Sequence, residues 1–214
     1  MKNQTQRITL TAMFCALAFV MVAVIRIPVV LFLSYEPKDV MIVISGFILG
    51  PATAAIVSVV TSLLELFTIS STGIIGCIMN IISSCSFACT ASYIYKKKRT
   101  LLGAGLGLIT GCIVMVVVML LWNYCITPIY MGYPREAVVE LLMPVFLPYN
   151  LVKGGLNAAF AFLLYKPVVN VLRRADFIPQ SSGGKSKANI PMICVALAII
   201  ITGIIFILSK NGII

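Results

Sequence analysis

Histidine is absent from this sequence, and aspartate and glutamate together number only six. Charged residues make up 10% of the chain, against roughly 25% in ordinary soluble domains. Each scarcity excludes something. Without histidine there is no Ser-His or Cys-His pair and no H-E-x-x-H zinc helix. The seven cysteines show no metal-ligand spacing. Cys77, Cys85, Cys89, Cys112 and Cys194 sit in apolar runs, where a thiol packs as a small hydrophobe. Neither a disulfide framework nor a zinc site follows from them. No G-x-x-x-x-G-K-[ST] segment occurs, so the chain is not its own ATPase. Glu136 and Glu140 stand one helical turn apart, but no nucleophile accompanies them. No alternating ten-residue segments mark a β-barrel, and no inverted repeat of the kind secondary transporters use is visible.

What the chain has in abundance is apolar length. It is 61% hydrophobic, with a mean hydropathy of +1.10, and several apolar runs exceed about 18 residues. The fold class is therefore all-α, a polytopic helical membrane protein. The net charge of +10 could suggest nucleic acid, but its distribution argues for topology and against a nucleic-acid partner. Basic residues cluster at Lys2/Arg7, at Lys96-Lys-Lys-Arg99 and at Arg173, Arg174, Lys185 and Lys187, each beside an apolar run. Cytoplasmic loops carry such an excess, which places the N-terminus inside. No small-residue cleavage site follows the first run, so it reads as a retained helix.

In order, residues 8–33 predict the first span, disturbed at its outer end by Arg26 and Pro28, and 34–39 a charged turn. Residues 40–69 are divided at Gly50-Pro51, because proline suits a first helical turn and only two spans keep both basic clusters on one side. The first of these two is too short to cross alone. Further spans are expected at 72–95, 101–123 and 143–166, with an external segment at 124–142. Gly103, Gly105, Gly107 and Gly111 would let the fifth span pack closely. The organisation is thus a six-span domain at 1–174, a polar cytoplasmic linker at 175–189, and an additional transmembrane helix within 190–214. That last helix carries no internal charge over 190–208, reads as an anchor or accessory, and would put the C-terminus outside.

This topology gathers polar groups near the external surface. Lys38 and Asp39 open the second span and Glu65 nearly ends the third. Asn123 closes the fifth, and Asn150, Lys153 and Asn157 lie in the outer half of the sixth. Asn150, Lys153, Gly154 and Asn157 fall within a roughly 100° arc of one helix. An amine at membrane depth is a functional candidate by default. Structural pairing of Lys153 with Glu65 is the plainer alternative. Tyr124, Tyr130, Tyr133 and Tyr149 share this level, as an interfacial belt or as pocket walls. On the first span, Ala12, Ala16 and Ala23 form a small-residue stripe, suited to internal packing or to a docking partner helix.

These residues resemble a known family. Glu36-Pro-Lys-Asp-Val40, Gly46-Phe-Ile-Leu-Gly-Pro51, Asn123-Tyr-x-x-Thr-Pro-x-Tyr130, Pro134-Arg-Glu-Ala-Val138 and Pro148-Tyr-Asn-Leu-Val-Lys153 with Asn157 are similar to motifs of riboflavin-specific substrate-binding subunits of energy-coupling factor (ECF) transporters. The resemblance covers roughly 8–173. It implies a six-helix bundle in the bacterial cell membrane, to which the helix at 190–208 is an addition. It also implies an extracellular-side riboflavin pocket, with riboflavin as cargo and no cofactor. The partners would be one transmembrane coupling subunit and two ATPases, and the subunit would topple to release the vitamin. Lys38, Asp39, Glu65, Asn123, Tyr130, Asn150, Lys153 and Asn157 are the expected ligand residues, and Ala12 and Ala16 the expected docking residues. A subunit for another vitamin and a membrane protein without transport function are the rival readings.

Overall fold

Proline and glycine punctuate a chain that is otherwise almost continuously helical. The computed structural model describes residues 4–175, 177 and 190–210. Helix α1 spans Gln4–Val24. A two-stranded antiparallel hairpin follows, β1 Ile27–Val30 and β2 Leu33–Tyr35. Then come α2 Lys38–Leu49, α3 Pro51–Thr68, α4 Gly73–Lys97 and α5 Leu101–Cys125. Two short helices, α6 Thr127–Met131 and α7 Arg135–Leu141, lead through a π-helical turn, Leu142–Phe146, into α8 Leu147–Arg174. The last element is α9, Ile190–Lys210. Apart from Ala175 and Phe177, the linker expected at 175–189 lies outside the described residues, as do 211–214.

Among the described residues, six helical stretches are long and apolar enough to cross a membrane. Helix α2 is not among them. Its 12 residues give about 18 Å, and its neighbours bury nine of them, Lys38 and Asp39 included. The expected break at Gly50-Pro51 is present. Gly50 has φ +103°, open to glycine and strained for other residues, and Pro51 starts α3. Arg7 donates to Leu49 O at 3.3 Å, so α2 ends at the same level as the basic start of α1. The opposite end of the bundle holds Lys38 and Glu65.

The first span is shorter than the sequence suggested. Helix α1 stops at Val24, and 25–35 turn back as the hairpin instead of continuing to 33. Pro28 has no N–H and cannot extend the helical ladder, while the β-branched run around it fits a pleat. A bulge separates Pro28 from Val30. At the tip Leu31 takes φ +53°, costly for a side chain with a Cβ. The glycines also divide their roles. A Cβ at Gly107 or Gly111 would lie 2.6 Å from a carbonyl oxygen of α4, so these two set the close α4–α5 approach. Gly105 instead meets Met192 of α9, and Gly103 sits in its own helix cap.

Candidate functional site

The helix-initiating segment 35–39 delivers four polar side chains into one buried cluster. Lys38 is fully buried and donates to both oxygens of Glu65 at 2.6 Å. Glu36 Oε2 lies 2.9 Å from the same ammonium but accepts no aligned hydrogen bond there. Its other oxygen is 3.3 Å from Arg26 Nε, and Arg26 also caps Ile69 O at 2.7 Å. Burial alone would raise the Glu36 carboxyl. Lys38, Lys153 and Arg26 together outweigh it and hold Glu36 below the ordinary carboxylate range. Asn80 of α4 donates to Glu65 at 3.1 Å.

Asp39 faces the other way. It accepts from Ser84 of α4 at 2.5 Å and from Asn157 of α8 at 3.3 Å. Asn157 in turn accepts from the Tyr35 hydroxyl at 3.2 Å. Burial keeps that phenol above its ordinary value, with Asp39 and Tyr149 adding to the shift, so it remains a donor. Tyr149 donates to Ser34 O at 2.7 Å and fixes the hairpin onto α8. Hairpin, α2, α3, α4 and α8 are thereby tied at one depth. Arg26, Lys38 and Lys153 stand against Glu36, Asp39 and Glu65, three formal charges of each sign.

The remaining expected residues divide. Lys153 is buried and, among the described residues, makes no hydrogen bond or close ion pair, though it acts on Glu36 through space. The alternative pairing with Glu65 is not what forms, because Lys38 occupies Glu65. Asn123 is fully buried. Its Oδ1 accepts from Thr127 at 2.9 Å, while its Nδ2 has no partner. Asn150 is spent on a local bond to Phe146 O at 2.7 Å. Gly154 offers no open backbone patch, since a Cβ there would meet Cys112 and Met115 of α5. Tyr130 packs edge-on against Phe32 of the hairpin at 5.1 Å, whereas Tyr124 and Tyr133 are exposed. Ala12 and Ala16 are exposed on α1.

Phe32 and Tyr130 close a cleft whose other walls include Trp122, Ile126, Thr127 and Met79. Its free volume is about 10 Å³, room for a single water-sized sphere. Larger spaces of about 280 and 800 Å³ lie along α9. Their linings are almost entirely carbon, so they give a ligand rich in donors and acceptors nothing to pair with. The small cleft, whose wall residue Thr127 bonds the half-satisfied amide of Asn123, is the candidate site. Sequence reasoning missed Phe32, Tyr35, Asn80, Ser84 and Thr127. The signal for Asn80 and Ser84 was their polarity inside an apolar span; Phe32 gave none.

Comparison with known proteins follows the same outline. The family model for the ECF transporter substrate-specific component matches residues 6–169. The riboflavin transporter RibU of Staphylococcus aureus is 29% identical over 181 residues, covering 80% of this chain and 95% of that protein. The riboflavin transporter FmnP of Bacillus subtilis is 25% identical over 156 residues, covering 67% and 82%. A solved structure described as the S component of a bacterial ECF transporter superposes with a TM-score of 0.70 at 31% identity, over 80% of this chain and all of that one. With the match running from α1 into α8, the chain belongs to the family of ECF transporter substrate-specific components.

Proposed function

We propose that this chain binds riboflavin at the outer end of the bundle and hands it to an ATP-driven module of one transmembrane coupling subunit and two ATPases. The observation that carries this reading is Asn123 Nδ2, fully buried and without a partner among the described residues, on a side chain bonded to Thr127 in the wall of an aromatic cleft. An orphaned buried donor costs about 1–3 kcal/mol, so the site gains by receiving an acceptor. The uracil-like edge of a flavin supplies acceptors and a donor, and its flat ring suits Phe32, Tyr130 and Trp122. Lys153, buried without a close ion pair among the described residues, is the donor we assign to a ribityl hydroxyl. The charge-balanced cluster favours a neutral ligand over an anionic one. The names of the relatives, riboflavin transporters in both cases, agree with this chemistry. The basic loops would face the cytoplasm, with the N-terminus inside and α9 ending outside.

The cleft is too small for a flavin with Phe32 in place, so entry requires the hairpin to lift. The exposed Ala12 and Ala16 at the basic end of α1 would let a coupling helix approach closely. Purified protein should be yellow from copurified flavin. After flavin is removed, titration should quench riboflavin fluorescence at 1:1 stoichiometry. Absence of quenching, with another vitamin bound instead, overturns the ligand assignment.

A further inference from the structure

We infer that α9 is a clamp on the hairpin: Ile207 completes the buried cluster that holds Val29, Leu33 and Tyr35 and thereby sets how readily the site opens. Helix α9 lies beyond the residues matched by the family model, and its sequence suggests nothing more than an anchor. Its packing suggests otherwise. It runs antiparallel along α8 and reaches β1 at the outer end. Ile207 is buried in a cluster with Val29, Leu33, Tyr35 and Leu156. One turn earlier, Gly203 lies so close to Leu156 that a Cβ there would come within 2.7 Å of that side chain. The tight contact at Gly203 fixes the distance at which Ile207 meets the hairpin.

The hairpin is the part whose position matters. Phe32 at its tip blocks the cleft, and Tyr35 at its end bonds Asn157 within the polar cluster. On the side of α9 facing α1 there is a cleft of about 800 Å³, so α9 steadies the hairpin through the Ile207 contact and not through a filled layer. Lifting Phe32 must break or slide that contact. Helix α9 thus restrains opening without touching the ligand, and any influence on the membrane-exposed face of α9 would reach the site along this route. The part of the inference that concerns ligand release rests on the riboflavin reading; the restraint on the hairpin does not.

The test uses full-chain variants in lipid nanodiscs. Ile207→Ala removes the contact and Gly203→Leu wedges α9 away from Leu156. Ile205→Ala alters an exposed position of α9 and serves as control. Amide hydrogen exchange over 27–36 is read without ligand, and riboflavin release by fluorescence recovery with a chase. Both variants should speed hairpin exchange and flavin release roughly tenfold, the effect of a packing loss of about 1.4 kcal/mol, and the control should change neither. Hairpin exchange at the parental rate in both variants overturns the clamp, whatever the ligand does. Exchange that rises equally over α3 and α4 also overturns it, because the variants would then loosen the whole bundle. If hairpin exchange rises while riboflavin never binds even the parental chain, the clamp stands and the ligand assignment falls.

Discussion

Two lysines in one buried cluster carry opposite expectations. Lys38 is enclosed by Glu65 and Glu36. Removing its charge leaves Glu65 without its cation and Glu36 with Arg26 alone at ion-pair distance, and breaking a buried pair this way costs about 3–5 kcal/mol. Lys38→Met should therefore lower the melting temperature sharply, with or without ligand. Lys153 makes no comparable contact. Lys153→Ala should lower melting of the ligand-free protein far less than Lys38→Met does and weaken riboflavin binding by about 1–3 kcal/mol. Isothermal titration and thermal melting of both variants check the pair. Equal melting losses would make Lys153 a structural cation. That an amine here mattered could be seen from its depth in an apolar span. Which carboxylate it faced could not, because a rotation of one helix by a single residue exchanges partners, and only packing fixes that rotation.

Among the elements, sequence reasoning did not find the hairpin, nor the short helices α6 and α7 inside the segment expected at 124–142. Residues 25–33 are apolar without interruption except for Arg26 and Pro28, so they extend the hydrophobic run of α1 and hide any two-residue period. The helices were readable because lipid demands length and because breakers mark their ends: Gly50-Pro51 divides α2 from α3, and Thr100 caps α5 by accepting from Gly103 N at 3.0 Å. At the hairpin tip, Leu31 adopts a left-handed conformation that costs roughly 1–2 kcal/mol for a residue with a Cβ. Leu31→Gly should relieve that strain at a smaller entropic cost. Leu31→Val, β-branched, should worsen it. Thermal melting should therefore rise slightly for the first and fall for the second. The same order should appear in how firmly Phe32 is held. Two falls of equal size would show that Leu31 contributes through its side chain and not through its backbone.

For the molecule as a whole, the proposed roles fall at two ends. The buried polar cluster gathers where the hairpin, α2, α3, α4 and α8 meet, while the exposed stripe of Ala12 and Ala16 lies toward the basic end. Ala12→Trp or Ala16→Trp should leave riboflavin affinity in detergent near parental, and abolish both uptake in cells and copurification with the ATPase subunits. Uptake that survives both changes in well-expressed protein would move the docking surface elsewhere on the cytoplasmic side. The small-residue stripe is visible in sequence; that it points outward and not into the bundle is not, since alanine spacing alone does not say which face neighbours cover.

The charge balance of the cluster has an electrical consequence. A charge carried through the membrane potential requires work of about 2.3 kcal/mol per 100 mV. In formal charge, Arg26, Lys38 and Lys153 cancel Glu36, Asp39 and Glu65, and riboflavin, the proposed ligand, adds none. If the subunit topples as the family resemblance implies, the potential should neither drive nor oppose the passage of the site from one face of the bilayer to the other. Uptake into vesicles with an intact coupling module should run at the same rate whether a potassium diffusion potential is inside-negative, zero or inside-positive. Lys153→Ala would break this silence: its site carries one uncompensated negative charge, and inward passage becomes harder as the interior is made more negative.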